Sequence, residues 1–388
     1  MPNLVQSFSF MSATQPVYLD CNATTPLEPA VAAVMRHYFE EEYGNEGSRT
    51  HGFGGRAKEA VQKARRQVAD LVGAKPEEVI FTSGATESNN LAILGLGNWG
   101  RQHGKTHIIT TRIEHKAVLE PIDHLAKDGF EVDLVAPDKE GRVEVEKITR
   151  LLRPTTMLVS VMHANNETGV IQPIGELAEA LAHHPAWFHV DAAQTFGKLI
   201  EPLRHTRIDL ISASGHKIYG PKGIGVLVVR HRGKQKVPLM PLVFGGGQEQ
   251  GLRPGTLPVP LIVGLGKAAE LGQGQHAERE KRCRDFRSRF LESIAPLKAK
   301  IHGREGQVLP HTVNASIPGL SAEETMLRLK DLVAVSNGSA CTSSSYQPSH
   351  VLTAMGLSKD EIIGAVRFSW SHLTPDLDWG LLARCLKT

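Results

Sequence analysis

The stretch Leu210-Ile211-Ser212-Ala213-Ser214-Gly215-His216-Lys217 joins a short apolar run to a turn of small residues that ends in a lysine. Between residues 55 and 230, six further apolar or β-branched runs alternate with helical stretches, which predicts βα units and a mainly parallel sheet. The predicted strands are Val79–Thr82, His107–Thr111, Val132–Ala136, Met157–Met162, Trp187–Val190, Leu210–Ala213 and Gly225–Arg230. The sequence therefore predicts an α/β fold with a large domain built on a mainly parallel seven-stranded sheet.

Helical stretches are predicted between the strands and after them. Gly55–Leu71 carries apolar residues near helical spacing, and Ile174–Leu181 begins just after Pro173. A long charged stretch over Val263–Ala295, stopped by Pro296, predicts a further helix. The first two helices are expected to cover the sheet, and the third begins a second structural unit.

The character of the sequence changes after the glycine-rich turn Gly245-Gly246-Gly247, where the long helix and then shorter elements follow. This change predicts a large domain over residues 18–260 and a smaller α+β domain over residues 261–388, with part of segment 1–17 packed near the small domain. No internal repeat or low-complexity linker is present, so the two domains are expected to pack as one rigid body.

The composition is typical of a globular enzyme rather than of a disordered or fibrous chain. The 388 residues include 41% hydrophobic and 22% charged residues, with both signs of charge interspersed. The formal net charge is only +3 and the basic residues are spread out, so direct nucleic-acid binding is not expected. No apolar run approaches the ~18 residues that a membrane span needs, and a cytoplasmic location is expected.

Four cysteines, Cys21, Cys283, Cys341 and Cys385, occur without a CxxC pair. This spacing fits neither a disulfide framework nor a closed zinc site, so reduced thiols and no bound metal are expected. Cys341 lies in the polar stretch Ser336–Ser345, and an exposed thiol on a loop is suited to attack and delivery. The other three are expected to be packing residues, although the reactivity of Cys21, in a polar turn, is left open.

The stretch Thr82-Ser83-Gly84-Ala85-Thr86-Glu87 follows a predicted strand and opens a helix. A turn of small residues at a helix N-terminus offers free backbone N–H groups and a hydroxyl, which can bind a phosphate. The alternative is an ordinary helix cap formed by Thr82, Ser83 or Thr86.

Two further strand ends carry a lysine and a carboxylate. Lys217 lies at the carboxyl edge of the predicted sheet, where α/β proteins bind ligands, and a desolvated lysine there can bond covalently to an aldehyde. Asp191, which follows another predicted strand, can pair with a protonated pyridine nitrogen. The alternatives are a solvated surface lysine and a helix-capping aspartate.

A phosphate cradle, a carboxylate and a lysine at the ends of separate strands converge on one edge of one sheet. This convergence predicts binding of pyridoxal 5'-phosphate. His115 follows the strand that ends at Thr111 and is placed to lie over the cofactor ring, with an ordinary surface histidine as the alternative. In the second domain, Arg367 suits the α-carboxylate of an amino acid, and a structural ion pair is the alternative.

Between about Tyr18 and Thr374, the chain resembles the cysteine desulfurases of the class V aminotransferase family, pyridoxal-phosphate enzymes of fold type I. The motifs that carry the resemblance are Leu19–Pro26, Ser83–Asn89, Glu114–Lys116, His163–Gly169, Asp191–Gln194, Ser214–Lys217, Arg253–Thr256 and Gly338–Ser343. The resemblance implies a homodimeric enzyme that converts L-cysteine to L-alanine and passes the sulfur to an acceptor protein.

The resemblance also implies a role for each matching residue. Lys217 would bond to the cofactor, His115 would stack on its ring and shuttle protons, and Cys341 would receive the sulfur as a persulfide. Asn166 and Arg367 would bind the substrate carboxylate. The residues implied to bind the cofactor are Ala85, Thr86, His115, Asn166, Asp191, Gln194, Ser214, His216 and Lys217, joined by Thr256 of the partner subunit.

The chain departs from the family pattern at two places. It has Gly44-Asn45-Glu46-Gly47 where many relatives have Gly-Asn-Pro, and Ser336-Asn337-Gly338 where Ser-Ser-Gly is usual. Both departures could alter the substrate entrance or the partner surface. The longer loop around Cys341 resembles the long-loop branch of the family, and the stretches Asp20–Thr25 and Arg49–Gly54 resemble the desulfurases of bacterial DNA phosphorothioation systems.

Two other functions compete with this interpretation. An aminotransferase or a selenocysteine-type lyase would share Lys217 and Asp191 but would not need Cys341. A sulfur carrier or scaffold that has lost catalysis would not need the lysine, aspartate and histidine set, and the presence of that set argues against it. The sulfur acceptor is open between an iron-sulfur scaffold, a tRNA-modifying protein and a DNA-modification complex.

Overall fold

The structure is a computed structural model that describes residues 15–338 and 348–387. Its strands in chain order are β1 (Val17–Tyr18), β2 (Val79–Thr82), β3 (His107–Thr111), β4 (Glu131–Val135), β5 (Thr156–Met162), β6 (Trp187–Asp191), β7 (Leu210–Ser214), β8 (Gly225–Val229), β9 (Lys300–His302), β10 (Thr312–Ser316), β11 (Val333–Ala334) and β12 (Ala365–Ser369). Its α-helices are α1 (Pro29–Glu40), α2 (Gly52–Val72), α3 (Ala85–Gln102), α4 (Lys116–Lys127), α5 (Val145–Thr149), α6 (Ile174–Ala180), α7 (Val259–Ile294), α8 (Ala322–Leu329), α9 (His350–Ala354), α10 (Lys359–Gly364) and α11 (Trp379–Cys385).

All seven predicted strands are present, and each observed end lies within one residue of the predicted end. They form one sheet in the order β2-β8-β7-β6-β5-β3-β4. Strands β3 to β7 pair in parallel, whereas β8 runs antiparallel to both β7 and β2. Since β2 then runs in the same direction as β3 to β7, the prediction of an α/β fold with a mainly parallel seven-stranded sheet is confirmed.

Helices cover both faces of this sheet. Successive side chains of a strand face opposite sides, so Ile80 and Phe81 of β2 enter different apolar clusters. Phe81 shares its cluster with Val61 of α2 and Ile262 of α7, while Ile80 shares its cluster with Leu91 of α3. Strands buried on both faces need apolar runs, as β5 and β8 show, whereas the edge strand β4 is partly exposed and carries Glu131 and Asp133.

The long helix α7 begins four residues before its predicted start. Pro260 lies in its first turn, where the N–H groups have no intrahelical partner and a residue without an N–H is tolerated. The first half of α7 packs on the large sheet through Ile262 and Leu265, and its second half packs on the small sheet through Phe286 and Phe290. One helix therefore joins the two layers.

The small sheet is antiparallel, in the order β12-β10-β9. The N-terminal segment is attached to the C-terminal part of the chain. Val17 pairs with Val333, and Asp20 forms an isolated β-bridge with Ser369. The domain limits at residues 260 and 261 stay a prediction.

No helix within the described ranges combines the length and the apolarity that crossing a membrane requires.

Candidate active site

The carboxyl ends of β2, β3, β5, β6 and β7 meet at one edge of the large sheet, where a cavity of about 870 Å³ opens. Ten of the residues predicted to bind cofactor or substrate line this cavity: Ala85, Thr86, His115, Asn166, Asp191, Gln194, Ser214, His216, Lys217 and Arg367. The structure therefore places these side chains together, and their individual roles stay predictions.

The turn between β2 and α3 leaves the start of α3 without a side-chain cap. Gly84 occupies the N-cap position and has no side chain to cap the helix, and no described side chain bonds to the N–H groups of the first turn. Thr82 pairs instead with Ser88, 2.8 Å between the two hydroxyl oxygens. The alternative of an ordinary side-chain cap is therefore wrong, and the uncapped N–H groups suit a phosphate.

Glycine at position 225 lets this turn lie directly on the neighbouring strand β8. A Cβ atom on Gly225 would lie 2.4 Å from the Cα atom of Gly84. Ser214 Oγ lies beside the same turn, 3.5 Å from the position of a Cβ on Gly84, and both Ser214 and His216 line the cavity. Burial lowers the pKa of His216 to about 4, and nearby lysines add to the effect, so the ring is neutral at neutral pH.

Asp191, at the end of β6, is buried at the floor of the cavity. Its Oδ2 accepts a hydrogen bond from Asn89 Nδ2 at 2.8 Å, and its Oδ1 accepts one from the Ala193 N–H at 2.9 Å. Beside it, Asn89 Oδ1 and Gln194 Oε1 are buried without a partner in the described part of the chain. The carboxylate is therefore held in place, and two amide oxygens remain for a bound ligand.

Lys217 ends the short 3-10 turn that follows β7. Its Nζ donates to the backbone carbonyl of Asn22, which also accepts from Gln194 Nε2 at 3.0 Å. Burial lowers the pKa of Lys217 to about 7, and the positive charges of Arg367 and Lys198 add to this effect. A large fraction of the amine is therefore uncharged near neutral pH, as a nucleophile and a base require.

His115 forms the N-cap of α4, where its Nδ1 accepts a hydrogen bond from the Ala117 N–H at 3.1 Å. Accepting at Nδ1 places the proton of the neutral ring on Nε2. The residue lines the open cavity, and desolvation by the surrounding protein lowers its pKa, with Lys217 adding to the effect. A neutral imidazole therefore faces the same space as the lysine.

Arg367 reaches the cavity from β12 of the small sheet and is buried. Its Nη2 lies 2.5 Å from Asp20 Oδ1, and its Nη1 donates to the carbonyl oxygens of Asn166 at 3.0 Å and Gly338 at 3.4 Å. The structural ion pair that the sequence left as an alternative is therefore present. Its Nε remains without a partner in the described ranges.

Two predicted residues are not found in this cavity. Thr256 is exposed and does not line the cavity of its own chain. Cys341 lies outside the described residues. The residues that flank it are described: Gly338 contacts Arg367, and Ser349 Oγ donates to the buried carboxylate of Glu167 at 2.6 Å. Since a Cβ on Gly338 would lie 3.6 Å from Glu167 Cβ, both flanks meet beside Glu167.

The reactivity of Cys21 and Cys283 is settled by their burial. Cys21 is 1% exposed and Cys283 is 4% exposed. Burial raises the pKa of Cys21 to about 11 and that of Cys283 to about 12. Since the thiolate is the reactive form of cysteine, neither thiol is a nucleophile at neutral pH.

Three residues of the site were not assigned a role from the sequence. Asn22 supplies the carbonyl that holds Lys217, Asn89 orients Asp191, and Asp20 pairs with Arg367. Asn89 lies one helical turn after Thr86 on α3, so the two residues share one face of the helix. This spacing is the signal in the sequence that could have placed Asn89 at the site. Asp20 and Asn22 carry no such pattern, because their contacts join positions more than 140 residues apart.

These residues fit pyridoxal phosphate. The uncapped turn with Ser214 and His216 suits the phosphate, the fixed Asp191 carboxylate suits a protonated ring nitrogen, and the largely uncharged Lys217 suits the aldehyde carbon. The buried oxygens of Asn89 and Gln194, which have no partner among the described residues, leave two acceptors that a bound group could satisfy.

Comparison with known proteins supports the same conclusion. Residues 17–376 match the family described as Aminotransferase class-V. The chain is 45% identical over 364 residues to the cysteine desulfurase IscS of Escherichia coli O139:H28 (strain E24377A / ETEC), covering 93% of this chain and 89% of that protein. Among solved structures it is similar to a NifS-like protein, with a TM-score of 0.88, 36% identity and coverage of 96% and 98%. It is also similar to DndA from Streptomyces lividans, with a TM-score of 0.81, 50% identity and coverage of 91% and 99%.

Proposed function

This chain belongs to the class-V aminotransferase family and is a pyridoxal-phosphate-dependent cysteine desulfurase, and from that premise we propose which of its residues perform each part of the reaction. The observation that carries the assignment is that Lys217 and Arg367 line one cavity, while the Cys341 segment is flanked by Gly338, which contacts Arg367, and by Ser349, which bonds to Glu167 beside Gly338. An amine, a carboxylate-binding group and a thiol are the three protein groups that desulfuration of an amino acid needs.

Substrate binding is assigned to Arg367 and Asn166. The guanidinium of Arg367 is held by Asp20 and by the Asn166 carbonyl, so it is oriented before cysteine arrives. A planar guanidinium can pair with both oxygens of a carboxylate, which fixes the Cα atom of the amino acid. We assign the Ala85–Thr86 turn, Ser214 and His216 to the cofactor phosphate.

Proton transfer is assigned to Lys217 and His115. Bound pyridoxal phosphate supplies an electron sink for the carbon that loses its proton. Lys217, whose pKa lies near 7, can take the Cα proton as a free amine and later return a proton. His115, neutral with its proton on Nε2, can pass a proton within the same cavity.

Sulfur capture is assigned to Cys341. Its thiolate forms a sulfur–sulfur bond to the substrate while the carbon–sulfur bond breaks, and protonation of the carbon product then gives L-alanine. The products balance, since cysteine and an enzyme thiol become alanine and an enzyme persulfide. This step needs no other oxidant.

The test is a single-turnover reaction of the cofactor-loaded enzyme with L-cysteine, in which alanine and protein-bound persulfide are measured together. Wild type and the matched control Cys385→Ala are expected to form both. Cys341→Ala is expected to lose the persulfide while its cofactor absorbance still changes on adding cysteine. Persulfide that survives in Cys341→Ala, or the absence of alanine in wild type, would contradict the assignment and favour an aminotransferase, a lyase or a scaffold.

We propose an acceptor protein for the persulfide, either an iron-sulfur scaffold or a protein of DNA phosphorothioation. The first is supported by 45% identity to IscS, and the second by the resemblance of Asp20–Thr25 and Arg49–Gly54 to phosphorothioation desulfurases. The enzyme is loaded with radiolabelled sulfur and mixed with each candidate acceptor separately. The label should move to the true acceptor, and it should remain on the enzyme when the other candidate is added. Direct nucleic-acid binding is not part of the proposal, because the net charge is only +3.

A homodimer is proposed from the surface near Thr256. Met240, Leu242, Val243 and Phe244 are exposed, with Phe244 82% exposed, and the backbone that follows them packs on Pro254. A contiguous exposed apolar strip is typical of an interface. If a second copy of the chain covers this strip, Thr256 of the partner subunit is brought toward the cavity that contains Lys217.

A cytoplasmic location is also proposed, because a thiol that must remain reduced between turnovers suits that compartment.

A further inference from the structure

A second, smaller cavity lies between the large sheet, α7 and the small domain. Its volume is about 80 Å³, and it shares no lining residue with the cavity that contains Lys217. Its walls are formed by the segment around Lys198, by Tyr219, by the stretch of α7 from His276 to Arg284, and by the segment that ends at His311. The reaction assigned above uses none of these residues.

Lys198 contributes a positive charge to this cavity that no described carboxylate neutralises. Its Nζ lies 3.4 Å from His311 Nε2 and 5.7 Å from the centre of the Tyr219 ring, and no carboxylate pairs with it in the described ranges. Burial lowers the pKa of Lys198 to about 8, which leaves the amine charged at neutral pH. Burial also holds the pKa of His311 well below its ordinary value, so His311 is neutral and accepts the bond. At least two ammonium N–H groups remain unused.

The other polar groups of the cavity are mostly donors as well. Arg279 pairs through Nη2 with Glu28 at 3.1 Å, but its Nε is buried without a partner in the described part of the chain. The Tyr219 hydroxyl makes no hydrogen bond to any described residue. Glu280, the carboxylate among the lining residues, is already bonded to Arg284 at 2.5 Å. Among these lining side chains, unpaired donors therefore outnumber unpaired acceptors, and the surplus charge is positive.

We propose that this cavity binds a small inorganic oxyanion, with the Lys198 ammonium and the Tyr219 hydroxyl as its principal donors. A single water needs about 10–15 Å³ of such space, so the cavity has room for an ion of several heavy atoms. An oxyanion supplies both the negative charge and the several acceptor atoms that the wall lacks. An apolar or cationic ligand would leave the same donors unsatisfied.

The cavity is connected to the active site through Tyr219. This residue follows Lys217 by two positions, and its backbone is in the left-handed region at φ 65°, which is rare for a bulky side chain. Its N–H donates to Thr25 Oγ1 at 2.9 Å, and its carbonyl accepts from the Glu28 N–H at 3.0 Å. An anion bound to Tyr219 would therefore contact a residue that is only two positions after Lys217 in the chain.

Neutralising Lys198 has an electrostatic consequence for the same lysine. The charge of Lys198 is one of the groups that lower the pKa of Lys217, after burial and Arg367. An anion bound at Lys198 would weaken that effect, so the uncharged fraction of Lys217 at neutral pH would fall.

The test uses sulfate with the cofactor-loaded enzyme in excess pyridoxal phosphate, so that phosphate sites in the first cavity are filled. Isothermal titration at constant ionic strength, with chloride as the counter-titrant, is expected to show saturable binding in wild type. Lys198→Met should weaken binding by about tenfold or more, the loss expected when a charge-assisted bond is removed. Lys267→Met, which removes an exposed lysine of α7 paired with Glu270, should bind as wild type does.

A second measurement keeps the proposal testable if Lys198→Met does not fold. Crystals of wild type soaked in selenate, whose selenium scatters anomalously, are expected to show a peak between Lys198 and Tyr219. No saturable sulfate binding in wild type, equal binding in Lys198→Met, or a soaked crystal without that peak would each overturn the proposal. None of these results depends on Cys341, so they leave the assignment of the desulfurase residues untouched.

Discussion

The guanidinium of Arg367 makes contacts that no other side chain could reproduce together. It bridges Asp20, Asn166 and Gly338, which belong to three separate segments of the chain. A lysine carries a point charge and cannot form this planar fork. Arg367→Lys is therefore expected to raise KM for cysteine by about tenfold to a hundredfold, with a smaller change in kcat.

Steady-state kinetics of the Arg367→Lys enzyme at saturating cofactor would measure this effect. Arg289→Lys is the matched control, because Arg289 forms an exposed pair with Asp376 far from the cavity. An unchanged KM in Arg367→Lys would remove Arg367 from substrate binding.

Glu114 is a buried carboxyl group whose protonation depends on folding. It accepts bonds from Thr111 Oγ1 at 2.7 Å and the Met162 N–H at 2.9 Å, yet burial raises its pKa to about 8. Between the ordinary pKa of 4.5 and 8 the folded state binds more protons than the unfolded state, so stability falls as pH rises through this window. The slope from one group is at most about 1.4 kcal/mol per pH unit.

Glu114→Gln should therefore flatten the decrease in the free energy of unfolding between pH 5.5 and about 8, as measured by urea unfolding. Glu179→Gln, at an exposed position, should leave the decrease as it is in wild type. Parallel curves for wild type and Glu114→Gln would show that Glu114 is ionised throughout.

The short 3-10 turn Glu249–Gly251 joins α2 to the edge strand β2 through one buried ion pair. Arg65 Nη2 lies 2.5 Å from Glu249 Oε1, and Glu249 Oε2 also accepts from the Phe81 N–H at 2.7 Å. Glu249→Ala would leave the Phe81 N–H unpaired and the buried Arg65 charge with only the Val79 carbonyl, which is expected to cost about 3 kcal/mol and several degrees in Tm. Scanning calorimetry would measure this loss. Glu270→Ala, which breaks an exposed pair on α7, should change Tm by less than about one degree.

The elements also show where prediction from the sequence succeeds and where it fails. The central strands could be located to within one residue because strands covered on both faces are apolar runs, and the edge strand β4 could be located from its alternating Val132 and Leu134. The direction of β8 could not be predicted, because apolar runs do not record whether a strand pairs in parallel. Asp191 and Lys217 could be placed at the cavity because strand ends share one edge, whereas Asn22 could not, since its partner Lys217 is 195 residues away.

The whole molecule is expected to act as a dimer in which the apolar strip around Phe244 is covered. Phe244→Asp should therefore reduce the mass measured by light scattering to that of one chain at low protein concentration. It should also weaken cofactor binding, because Thr256 of the partner subunit would be withdrawn. Leu327→Asp, at a position 60% exposed on α8, is the control that should stay dimeric. A Phe244→Asp protein of unchanged mass would exclude this strip from the interface.

The path of the residues around Asn22 has a consequence for how a newly made chain matures. The Asn22 N–H donates to Ser369 Oγ at 2.9 Å, Val17 pairs with Val333, and the Asn22 carbonyl receives Lys217. A ribosome releases the chain from its N-terminus, so the large sheet can assemble while residues beyond 330 are still unmade. Gln194 and Asn166 already bond to Asn22 from the large-sheet region, and the contact with Ser369 is added only after Ser369 has emerged. We therefore expect the complete pocket only in a chain translated past Ser369, since a shorter product could form most of the sheet but would lack Arg367 and its neighbours in the cavity lining.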